Sequence, residues 1–115
     1  MPYRLSARAE RQLAKILDYS ETTYGSAAAG RYELLLIASL EVAGSDPDIM
    51  SSRAVPGVSR ARSLAIRHCK NRLPPDVRVG NPWHQIVYRQ APDGMVEILA
   101  VVGESMPAER AIRQR

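Results

Sequence analysis

Two stretches of helical periodicity meet at Gly25, and their meeting restricts the fold of this 115-residue chain more than any other feature. Ala9, Leu13, Ile16, Leu17, Ser20 and Tyr24 fall in one stripe at about 100° per residue, with Arg8, Arg11, Lys15 and Asp18 on the far side. Ser6 is placed to cap this first helix, and Gly25 to stop it after Tyr24. Ser26 is placed to cap a second helix from about Ala27 to Ala43, striped by Tyr32, Leu35, Leu36, Ser39, Leu40 and Ala43. So short a turn forces antiparallel neighbours, an αα-hairpin whose stripes face one common surface. Tyr19, Leu34 and Ile37 lie off the stripes, so partial exposure is expected. They are either the edge of a wide buried stripe or a ledge for another chain.

The common surface reads as a sheet. Tyr3–Leu5 alternates as a short first strand. Residues 44–57 gather Gly, Ser, Asp and Pro as a loop, and strand alternation resumes from about Arg62 through Leu64, Ile66 and His68. The run NRLPPDVRVGNP is too rich in Pro, Gly and Asn for a regular element. WHQIVYRQ and MVEILAVV read as strands of a hairpin turning at Ala91–Gly94, the second apolar on both faces. From Pro107, PAERAIRQR reads as a short basic helix or a frayed tail. The expected fold is a single α+β domain over residues 1–115: an N-terminal strand and an αα-hairpin packed on a mainly antiparallel sheet of three or four strands.

Composition narrows the function classes. No apolar run approaches the ~20 residues of a bilayer span and no leader pattern is visible, so a cytoplasmic protein is expected. One cysteine, Cys69, permits neither an internal disulfide nor a cysteine-based zinc cluster. The net charge of +4 is unevenly spread. Residues 53–89 carry eight cations against Asp76 alone, a net +7, while both flanking segments are mildly acidic. Such a block attracts an acidic partner.

Chemistry-bearing patterns are few. Phosphate-binding glycine loops, a nucleophile elbow and the HExxH pattern are absent. His68 and His84 are the two histidines, and strand parity gives each apolar companions, which favours hydrogen-bonded structural roles over acid–base work. A metal site from His68, Cys69 and His84 lacks a fourth ligand. On the same parity Arg67 and Arg89 project from the opposite face as a basic surface. Trp83, just after Pro82, reads as a core-edge plug or a binding anchor. No catalytic residue, metal or cofactor is expected.

Four blocks in register carry a family resemblance over roughly residues 3–106. YRLSARAERQLAKILDYSETTYG, RSLAIRH from Arg62, PWHQIVYR from Pro82 and VEILAVVGESM from Val96 resemble the strand, helical hairpin and later strands of ParE toxins. These belong to the RelE/ParE superfamily of bacterial type II toxin–antitoxin systems. Many relatives have arginine where Ala100 stands and histidine where Gly103 stands, so roles tied to those positions do not carry over. The RelE branch is associated with a basic catalytic cluster and often a late tyrosine. This chain has only Lys15 and Lys70 as lysines and no tyrosine after Tyr88, so the resemblance favours the ParE branch.

The resemblance implies a toxin that inhibits or poisons DNA gyrase by binding, in hetero-oligomeric complex with a ParD-like antitoxin whose C-terminal segment folds onto it. Tyr19, Leu34, Ile37 and Arg67 are then expected to meet the antitoxin, and Arg62, Trp83 and Arg89 the target, with the basic segment near gyrase or its DNA. The alternative is a RelE-like ribosome-dependent mRNA endoribonuclease. There Arg62, Arg67 and Arg89 would stabilise phosphate charge while His68, His84 or Tyr88 moved protons, within one shared cleft.

Overall fold

A computed structural model of the chain describes residues 3–113. Strand β1 (Tyr3–Leu5) leads into helices α1 (Ala7–Tyr24) and α2 (Ser26–Ser45); β2 (Arg53–Ala54), β3 (Ala61–Ala65), β4 (His84–Gln90), β5 (Val96–Gly103) and α3 (Ala108–Arg113) follow. The fold is α+β, with two long helices on an open, mixed five-stranded sheet of order β1-β5-β4-β3-β2. The sheet has one strand more than the three or four expected, because the two-residue β2 adds an edge to β3; the expected first strand, β1, joins β5 in parallel. The other pairings are antiparallel.

The helical hairpin forms as its periodicity dictates. Ser6 Oγ accepts from the Ala9 backbone N–H at 3.0 Å, and Gly25 ends α1 at φ +94°, a conformation that favours glycine. Gly25 also stands at the N-cap of α2, so Ser26 falls inside the helix and bonds Glu21 instead of capping. All six residues of the second stripe are buried. All but Ser39 join Leu64, Ile66, Ile86, Tyr88, Val96 and Ile98 in the main core, where each large apolar side chain contributes roughly 1.5–3 kcal/mol. Tyr24, the last residue of α1, departs from the first stripe and is exposed.

The second face of the sheet is covered as well. Val55, Ala61, Val87, Ala100 and Ala111 form a smaller buried cluster, flanked by Val58, Val102, Met106 and Ile112, so α3 and the loop after β2 close this side. Residues 114 and 115, the end of the expected basic helix or tail, lie outside the described residues. The apolar character of β5 on both parities follows from this double cover and from a register shift opposite Val87/Tyr88 that leaves Leu99 without a partner residue. Beyond Leu99 the alternation changes phase: Ile98 and Val101 face the main core, Ala100 the second cluster.

Alongside β5 the chain uses a side chain in place of a strand. β1 ends at Leu5, Ser6 N–H still donates to Ile98 O at 3.0 Å, and Gln12 Oε1 then accepts from Val101 N–H at 2.8 Å. Gln12→Ala leaves that buried amide without an acceptor, and a loss of about 1 kcal/mol is expected. Urea unfolding reads the loss, and faster exchange of the Val101 amide locates it.

Candidate functional site

The longest departure from sequence expectation lies beside the site. Ala65 already pairs with Gln85, and β4 begins at His84, so a strand continued past Ala65 would meet one further residue of β4 and then no neighbour. Residues Ile66–Arg72 therefore wind into 3₁₀ turns instead of continuing the strand to His68. His68 is exposed, and Arg67 pairs with Glu104 at 3.0 Å. The expected basic sheet surface does not form. Arg67 is not on a strand, and on the second face Arg89 meets Glu97 at 2.9 Å while Arg4 reaches Glu97 and Asp93.

His84 keeps its expected face. It shares the main-core side of β4 with Ile86 and Tyr88, and it is buried. Tyr32 Oη lies 2.5 Å from His84 Nδ1 and accepts from the Trp83 backbone N–H at 3.3 Å. In the tautomer protonated at Nε2, the tyrosine O–H donates to Nδ1 and every polar atom of the pair that faces inward is used. Burial depresses the imidazole from 6.5 to about 4, with the Glu104 carboxylate opposing the change. Burial likewise pushes the Tyr32 phenol up. At neutral pH this is an uncharged, hydrogen-bonded pair.

Trp83 covers that pair. Its ring lies 3.8 Å from the His84 ring between centroids, tilted by 35°, and 52% of the residue remains exposed. Gly103 makes the placement possible, because a Cβ there would stand 2.9 Å from the indole Cζ3. Trp83 is thus both cover and exposed anchor, and it lines a cleft of about 590 Å3 between the Tyr19–Tyr32 region and residues 78–84. A second cleft of about 530 Å3 lies by Arg62, Tyr88 and Arg60. There Arg62 is tied to Ser52, its Nε donating to Oγ at 2.7 Å and Nη2 to the carbonyl at 3.1 Å.

The anticipated site residues consequently divide. Tyr19 and Trp83 share the first cleft, Arg62 lines the second, and Arg67 and Arg89 are ion-paired elsewhere. Leu34 and Ile37 stand outside both clefts on the outward side of α2, 45% and 42% exposed. The shared cleft that a ribonuclease would require is not assembled: His84 opens on one cleft, Arg62 and Tyr88 on the other, and His68 lines neither. Ala100 is buried in the second cluster and Gly103 is overlain by Trp83. Among the described residues no three His, Cys, Asp or Glu side chains gather to hold a metal ion, and no helix is long and apolar enough to cross a membrane.

Sequence reasoning missed Tyr24, Tyr32, Arg31 and Arg78 as cleft residues. Tyr32 and His84 are 52 positions apart, so only the hairpin's docking on β4 brings them together. No protein-family model and no curated protein sequence matches the chain.

Proposed function

We propose that the chain is a ParE-like toxin of a type II toxin–antitoxin pair, with a RelE/ParE-like fold, acting on DNA gyrase by binding and neutralised by a ParD-like antitoxin. The observation that carries this reading is the pair Leu34 and Ile37, one helical turn apart and both more than two-fifths exposed on a helix whose other side is fully committed to the core. An amphipathic segment of a partner chain that folds on binding has a place to set its apolar residues there, and the net +7 of residues 53–89 attracts its acidic ones. The order strand, helical hairpin, then antiparallel strands, together with the four blocks quoted above, supports the family assignment.

A binding role is favoured over RNA cleavage because the groups required for proton and phosphate chemistry are dispersed: Arg67 and Arg89 are ion-paired, His84 and Arg62 line different clefts, and His68 is exposed outside both. The purified chain is expected to inhibit gyrase supercoiling, and intact supercoiling at saturating protein overturns the reading. Leu34→Glu and Ile37→Glu are each expected to weaken capture of the antitoxin encoded beside it about tenfold while leaving the thermal midpoint within experimental scatter, since neither side chain is in the core.

A further inference from the structure

The cleft beside Trp83 has properties that a docking ledge for a partner helix does not need. The indole is half exposed yet fixed: its backbone N–H donates to Tyr32, its carbonyl accepts from Glu104 N–H at 2.8 Å, and its ring rests on His84 above Gly103. Tyr19 and Tyr24 form a second aromatic wall, edge to face with centroids 6.5 Å apart. A flat, immobilised aromatic surface left open to solvent suits stacking by another planar ring.

The charge of the cleft is of one sign. The Arg31 side chain makes no hydrogen bond or ion pair among the described residues, and Arg78 is braced by Leu73 O at 2.9 Å and Asn71 O at 3.5 Å through Nε and Nη2, with Nη1 unused. Among the described residues no Asp or Glu lines the cleft, and the nearby Glu104 is engaged by Arg67. Two guanidinium groups without carboxylate partners favour a phosphate. The volume of about 590 Å3 falls in the roughly 300–1,000 Å3 range of single small-molecule sites.

We propose that this cleft binds a nucleotide, its base stacked on Trp83 and its phosphates held by Arg31 and Arg78. The site is independent of the toxin reading, so a chain inert toward gyrase can still bind. A peptide is the poorer occupant, because no residue of the edge strands β1 and β2, on which a peptide could add a strand, lines the cleft.

Trp83 is the chain's only tryptophan, which makes its fluorescence a direct report from the site. Titration of the full chain with ADP, GDP or UDP is expected to quench it saturably at micromolar concentration. Adenosine is expected to bind at least tenfold more weakly, and inorganic phosphate to leave the emission unchanged. The double variant Arg31→Ala/Arg78→Ala, with unaltered circular dichroism, is expected to lose at least tenfold in nucleotide affinity. Absence of saturable quenching by all three nucleotides at millimolar concentration overturns the proposal. So does equal affinity for adenosine and ADP, or unchanged affinity in the double variant. Saturable binding of an acidic, phenylalanine-containing peptide by protein that ignores ADP also overturns it, and assigns the cleft to a polypeptide partner.

Discussion

Acidification from pH 6.5 to pH 4 is expected to remove about 3 kcal/mol of folding stability through His84 alone. In the folded chain burial keeps the imidazole neutral until about pH 4, whereas in the unfolded chain it takes up a proton at its ordinary value of 6.5. Between those values the unfolded state binds more protons, so stability falls as pH falls. The contribution is intact above 6.5 and lost at about 4. Folding free energies of small domains are about 5–15 kcal/mol, so this loss is a large share. Two carboxylates act at lower pH. Asp93, held below 3.8 first by the Met95 N–H, and Glu97, held below 4.5 first by Arg89, release their stabilisation only as pH drops beneath those ordinary values. Between pH 7 and pH 4.5 the histidine therefore accounts for most of the change in urea midpoint, with Glu97 only beginning to contribute at the lower end. His84→Asn, whose Oδ1 can accept the Tyr32 proton, is expected to flatten the dependence over that interval. A wild-type midpoint that stays constant from pH 7 to 4.5 overturns the assignment.

The buried pair behind that prediction also marks where sequence reading stops. The burial of His84 was legible, because strand alternation ties it to Ile86 and Tyr88, and the second helical stripe was legible because six residues keep one period through α2. Periodicity is a property of one segment, whereas a cleft is made by segments far apart. Arg31 and Arg78 meet at one cavity because α2 docks across the start of β4, and nothing local in either stretch records it. The 3₁₀ turns at Ile66–Arg72 were hidden for a related reason: Leu64, Ile66 and His68 alternate as a strand should, but a strand also needs a neighbour, and past the Ala65–Gln85 pair only His84 of β4 remains. A cover on both faces of β5 was legible in its apolar character on both parities, but the source of the second cover was not: PAERAIRQR reads as basic, whereas α3 contributes Ala111 and Ile112 against Val87 and Ala100. Leu34 and Ile37 were legible as departures from the stripe, and they are exposed as that departure implies.

Gly103→Val tests whether Trp83 seals the Tyr32–His84 pair or merely lies near it. The position is the last residue of β5 and pairs with His84, so valine suits the backbone there and β propensity alone predicts a small gain. Packing predicts the opposite and the larger effect. A Cβ would stand 2.9 Å from Trp83 Cζ3 and 3.2 Å from Cε3, and the two methyl groups of valine fill more of the space now taken by the ring. Because half of Trp83 already faces solvent, the indole can swing outward instead of forcing the strand to move. The stack on His84 is then lost and water reaches the imidazole. A loss of about 2 kcal/mol at pH 7 is expected, within the usual cost of overpacking. The same displacement should raise the His84 value back toward 6.5, so the variant is less stable at neutral pH yet loses less on going to pH 4.5. A variant destabilised for an unrelated reason would keep the full acid dependence. The decisive measurement is thus the difference between the two urea midpoints, with the red shift of the single tryptophan reporting that the ring has moved. Retention of both the wild-type stability and the wild-type pH dependence would show that the glycine is not what holds the cover closed.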